Sequence, residues 1–154
     1  MLYAYHKMAV FMPLDATKYD DLSEEQVENV DQFIFRFSKL QDAMGERLFR
    51  CVLICLEEEV KNKPFLDLLN RLEQLGAVRN KEEWLLLRKL RNDLSHEYIN
   101  DSETNALNIN VVYENTRKLY DIFIQVKMYV NDNLFAFNTI DNFLLETTPF
   151  EKCV

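Results

Sequence analysis

The stretch Leu90-Arg91-Asn92-Asp93-Leu94-Ser95-His96-Glu97-Tyr98 holds the residue types best suited to chemistry. His96 is one of two histidines in the chain. It titrates near neutrality, so it can take the proton of an RNA 2′-hydroxyl or return one to a departing 5′-oxygen. Arg91 stays charged, and its planar fork can stabilise the oxygens of a crowded phosphorane. Such a reaction needs no metal and leaves a 2′,3′-cyclic phosphate. On an unbroken helix a step of five residues is about 500°, which leaves Arg91 and His96 roughly 140° apart. Two arrangements bring them together. Either the helix ends near Leu94 and His96 turns back, or two copies pair about a two-fold axis so that each site draws on both. Asn92 and His96, four residues apart, share a face. Asp42 is a candidate acidic partner for Arg91 or His96. The bland alternative pairs Arg91 with Asp93 or Glu97 on the surface, with His96 structural and Tyr98 a core residue. No Ser-His-Asp order, paired catalytic carboxylates or glycine-rich phosphate loop is visible, and His6 has no nameable partner.

The elements that must position these residues are helical. There are only two glycines and three prolines in 154 residues, with 48% apolar side chains. That is one domain long enough to bury a core, with few breakers. Ser23-Glu24-Glu25-Gln26 is a capping-box pattern. Val27, Val30, Phe33, Ile34, Phe37, Leu40 and Met44 then repeat at helical spacing over about 24–44. Gly45 bends or ends this helix, or the pattern runs straight through; Leu48, Cys51, Val52, Cys55, Leu56 and Val60 carry an apolar face to about 61. Glu57-Glu58-Glu59 reads as a solvated helical segment. Asn62-Lys63-Pro64 is a break, and Pro64 suits a first turn. Phe65, Leu68, Leu69, Leu72 and Leu75 form the next stripe, with Gly76 placed as a left-handed cap. Asn80-Lys81-Glu82-Glu83 starts another helix, which carries Trp84, Leu87, Leu90, Arg91 and Leu94. Residues 99–107 read as polar and turn-like. A last helix fits 108–131, stopped by Asn131-Asp132-Asn133. The expected architecture is all-α, an antiparallel up-and-down bundle of four to five helices in a single domain. Residues 1–22 form an N-terminal extension, interrupted by Pro13 and with Leu14-Asp15-Ala16-Thr17 as a turn. Residues 134–154 form an apolar, irregular tail.

The net charge of −8 works against broad non-specific nucleic-acid binding, and no DNA partner is expected. Between Arg71 and Tyr98 the balance is close to neutral, so a local basic site remains open. No apolar run reaches the ~20 residues of a membrane span, and no signal peptide is read at the start. Cys51, Cys55 and Cys153 lack metal-ligand spacing. Cys51 and Cys55 read as buried free thiols in a reducing cytoplasm. Neither a metal nor a cofactor is expected.

Arg91-Asn92-Asp93-Leu94-Ser95-His96-Glu97-Tyr98 resembles the R-x4-H-x-Y signature of HEPN domains, specifically the HepT-like toxins. The flanks add to the resemblance. Phe35-Arg36-Phe37-Ser38-Lys39-Leu40-Gln41-Asp42 is similar to the family's first long helix. Phe65-Leu66-Asp67-Leu68-Leu69-Asn70-Arg71-Leu72-Glu73-Gln74-Leu75-Gly76 is similar to the segment before the motif helix. Glu82-Glu83-Trp84 with Leu87-Arg88-Lys89-Leu90-Arg91-Asn92 is similar to the motif helix itself. The resemblance covers about 22–131. It implies a helical bundle that forms homodimers through the motif helices, with two Arg/His sets lining one cleft. It further implies a metal-independent ribonuclease toxin, silenced by a small nucleotidyltransferase (MNT) antitoxin that transfers AMP to the motif tyrosine. On that reading Arg91 and His96 are the catalytic pair, Asn92 orients the site and Tyr98 is the modified residue. A competing reading is a non-catalytic module that binds a nucleotidyltransferase, which the acidic balance suits. A plainer one is a structural helical dimer.

Overall fold

The computed structural model describes residues 1–94 and 101–134, which form an all-α bundle with no strand among them. The helices are α1 (Leu2–Met8), α2 (Ala16–Asp20), α3 (Glu24–Asp42), a π-helical segment (Ala43–Leu48), α4 (Phe49–Cys55), α5 (Phe65–Gln74), α6 (Lys81–Leu94) and α7 (Ser102–Asn133). The junction residues Asp42, Ala43, Leu48 and Phe49 are all right-handed helical, so 24–55 is one continuous rod. Four long helices therefore carry the bundle, as expected, and two short ones are added at the start.

Ser23 starts the rod as its pattern predicts. Its hydroxyl accepts from the Gln26 amide, and the Gln26 side chain accepts from the Ser23 amide. Val30, Phe33 and Phe37 enter the core. Beyond Gly45 the buried residues are Phe49, Val52 and Leu53, one position later than an uninterrupted α-helix would bury. A π turn inserts one residue into the helical count and rotates everything after it. This corrects the expected placement of the thiols: Cys51 is exposed and Cys55 only partly covered.

The rod also stops earlier than 61. Leu56 closes α4 and Glu57 adopts a left-handed φ of 59°. The Glu58 amide reaches back to the Leu53 carbonyl and the Glu57 amide to Ile54, the bonding of a Schellman cap. Glu57, Glu58 and Glu59 therefore lie past the helix rather than in it. Glu58 pairs with Arg71 of α5 at 2.5 Å. That hydrogen bond holds the Glu58 carboxyl below its ordinary range. Gly76, at φ 79°, ends α5 with the same two-bond cap, as its position predicts.

Leu68, Leu69 and Leu72 of α5, Trp84 and Leu87 of α6, and eight residues of α7 complete the core. Each fully buried leucine contributes about 1.5–3 kcal/mol. α7 begins at Ser102 rather than 108, because Asp101 caps it by accepting from the Thr104 amide at 2.9 Å. Its end, at Asn133, lies two residues past the expected limit. The first 22 residues are no appendage, since Ala4, Met8 and Leu14 are buried with the rest. Asp15 caps α2 by accepting from the Lys18 amide, so the Leu14–Thr17 stretch opens a helix rather than only a turn. The side-chain amide of Asn110 exchanges two hydrogen bonds with the backbone of Leu14, at 2.8 and 2.7 Å. Among the described residues no helix is long and apolar enough to cross a membrane.

Candidate functional site

Arg91 stands in the last turn of α6, and α6 packs on both α3 and α7. The sequence places Asp42 at the end of α3, where the rod passes into its π segment. The fold brings the two together. Arg91 Nη2 donates to Asp42 Oδ1 across 49 residues of chain. Arg91 Nη1 donates to Asn92 Oδ1 at 3.1 Å. Arg91 thus pairs with Asp42 rather than with its helical neighbour Asp93. Both side chains of the pair are about one-third exposed, at 30% and 34%. An ion pair so exposed contributes at most about 1 kcal/mol to stability. Its larger effect is on geometry, because a guanidinium gripped by a carboxylate and an amide has one orientation. Ser95, His96 and Tyr98 lie outside the described residues, as does the tail from residue 135.

Next to Arg91 a cleft of about 260 Å³ opens between the rod and α6. Gln41, Asp42, Gly45 and Glu46 line it from the rod, with Arg50 further along; Trp84, Arg88 and Arg91 line it from α6, and Phe65 closes one side. Trp84 and Phe65 line it, and Phe49 packs behind them. Phe49 and Trp84 have centroids 4.6 Å apart, and Phe65 lies 6.4 Å from each. Gly45 allows the closest approach. A Cβ there would stand 3.1 Å from Trp84 Cζ2. The Arg88 guanidinium sits over the Phe65 ring, 5.1 Å from its centroid. Arg50 donates to the Val60 carbonyl at 3.3 Å and ties the post-α4 loop to the rod.

Sequence reasoning singles out Arg91, Asn92 and Asp42 but passes over Gln41, Arg50 and Arg88, and it treats Trp84 only as core. Two signals bear on this region. Gly45 interrupts an otherwise strong helix, and glycine inside a helix costs about 1 kcal/mol unless close packing uses it. Gln41 falls on the apolar stripe, four residues after Phe37 and three before Met44. A further cleft runs past the end of α6, lined by Asp20, Asp31, Asp93, Leu94 and Asn108 among others. Its carboxylates suit it poorly to a phosphate. His6 is exposed on α1, edge-on to the Tyr5 ring.

Compared with models of known families, with curated proteins and with solved structures, the chain matches none. The class that fold and site define is an all-α bundle with an arginine-lined cleft between the rod and α6.

Proposed function

We propose that this chain is a metal-independent endoribonuclease of the HEPN type, acting as the toxin of a toxin–antitoxin pair on tRNA or mRNA. One observation carries the proposal most: the arginine of the motif is gripped by Asp42 and Asn92 in the helical turn that leads directly into His96. An arginine needed only for solubility has no reason to be oriented from two sides. In the proposed reaction His96 accepts the proton of a 2′-hydroxyl as the 2′-oxygen attacks phosphorus. The P–O5′ bond breaks, and a histidine returns a proton to the 5′-oxygen. Two copies about a two-fold axis supply one histidine for each task. Arg91 stabilises the charge that gathers on the non-bridging oxygens. A nucleotidyltransferase antitoxin silences the enzyme by placing AMP on Tyr98, adding bulk and negative charge two positions past the histidine in sequence.

The test is RNA cleavage by purified wild-type protein, Arg91→Ala and His96→Ala, with EDTA present and product ends mapped. Intact mass, read beforehand, reports whether Tyr98 carries AMP. Unmodified wild type should cut and leave 2′,3′-cyclic phosphates, and both variants should be inert with unchanged helical circular dichroism. Equal cleavage by all three, or none by the unmodified wild type, sinks the proposal.

A further inference from the structure

The cleft beside Arg91 contains polar groups that the proposed reaction does not use. Gln41 Nε2 and Trp84 Nε1 are both buried with no hydrogen-bond partner among the described residues. Gln41 is 3% exposed and Trp84 1% exposed, and both line this cleft. The indole N–H can only donate. Buried donors are normally paired, so two orphans on one cleft point to an acceptor supplied from outside. The charged residues of the cleft agree. Arg91 and Asp42 neutralise each other, which leaves Arg50 and Arg88 against the single carboxylate of Glu46. Phe65 supports the Arg88 guanidinium from below, as a platform that keeps it at the cleft. The π segment forms the opposite wall, and such segments recur where a helix is deformed for function.

We propose that this cleft binds a phosphate group. Its oxygens accept from the Arg88 guanidinium at the mouth and, after a small shift that uncovers the two buried donors, from Trp84 Nε1 and Gln41 Nε2 on the inside. The phosphate belongs either to an RNA strand, as a group next to the one attacked at Arg91, or to a free nucleotide. Only the assignment to RNA rests on the proposed function; the phosphate chemistry does not.

Trp84 is the chain's single tryptophan, so its emission reports the site directly. Wild-type protein titrated with inorganic phosphate at constant ionic strength should show a saturable change that chloride does not reproduce. Arg88→Gln, at an exposed position, should weaken the apparent Kd at least about tenfold, the loss of one charge-assisted contact. Gln41→Leu should weaken it as well while leaving the protein as stable or more so, because it removes an unpaired buried donor. Competition then assigns the source: displacement by a non-cleavable RNA oligonucleotide indicates a strand, and displacement by AMP alone a nucleotide. A flat titration, a chloride effect of equal size, or wild-type affinity in both variants overturns the site. RNA cleavage without phosphate binding overturns this inference alone. Phosphate binding without RNA cleavage overturns the proposed function alone.

Discussion

Replacing Gly45 with alanine sets two opposed effects against each other. The residue lies inside a continuous helix with right-handed backbone on either side, so alanine should gain up to about 1 kcal/mol in helix propensity. The new methyl meets Trp84 Cζ2 at 3.1 Å, and Phe65 carbons at 3.7 and 3.8 Å, which are ordinary contacts. Trp84 must therefore retreat by a few tenths of an ångström. Its retreat is limited by its ring neighbours: it is 1% exposed, with Phe49 at 4.6 Å and Phe65 at 6.4 Å between centroids. Overpacking a tight core costs about 1–3 kcal/mol. The expected net effect is a loss of up to about 2 kcal/mol. For a chain of this length that lowers Tm by roughly 2–4 °C per kcal/mol. Urea denaturation followed by circular dichroism measures it, and a second background isolates the cause. In Trp84→Phe the phenyl ring does not reach the position of Cζ2. Gly45→Ala should then be neutral or stabilising, with a coupling of at least about 0.5 kcal/mol in the double-mutant cycle. Stabilisation by Gly45→Ala in the wild-type background, or strict additivity of the two changes, would refute the argument that Gly45 exists to admit the indole.

Two further outcomes are expected. Asp42→Ala should leave stability within about 1 kcal/mol of wild type, because the pair with Arg91 is partly exposed; under the proposed ribonuclease reading it should also lower RNA cleavage at least about tenfold by releasing the guanidinium, and full cleavage by this variant removes Asp42 from the site. The Tyr113 hydroxyl is pushed up to about 12, first by burial and then by its hydrogen bond with Tyr5, on which its ring stacks at 4.4 Å. The folded chain thus holds this proton more tightly than the unfolded chain, whose tyrosine titrates at the ordinary 10.0. Stability should fall as pH rises from 10.0 towards about 12, by the sign of proton linkage. Tyr113→Phe should flatten that fall in alkaline urea melts, and an identical slope in both proteins would count against it.

The capping box at Ser23, the glycine cap at Gly76 and the register of α6 were legible in sequence because each rests on local chemistry. The path beyond Gly45 was not. Periodicity counts residues at a fixed angle, and a π turn changes the count without any distinctive residue type. Glu57 takes a left-handed cap that composition normally reserves for glycine or asparagine, so the end of α4 was hidden. Asp101 and Thr104 cap a helix in a stretch whose polarity reads as a turn. The first two helices are short and depend on tertiary packing, which no local pattern reports. At the site, Asp42 and Arg91 could be nominated by charge. Gln41 and Trp84 could not, since the first sits on an apolar stripe and the second counts as core until its nitrogen is seen to lack a partner.

The exchange of hydrogen bonds between Leu14 and Asn110 also constrains the order in which the chain can be completed during synthesis. The two residues are 96 positions apart. At roughly 5–20 residues per second on a ribosome, Leu14 waits about 5–20 s for its partner to be made. The α2 segment, which packs on α7, waits with it. The rod can meet α1 and α5 earlier, since α1 packs on α3 and α5 on α4. The α2 segment, though among the first to emerge, is among the last to be secured.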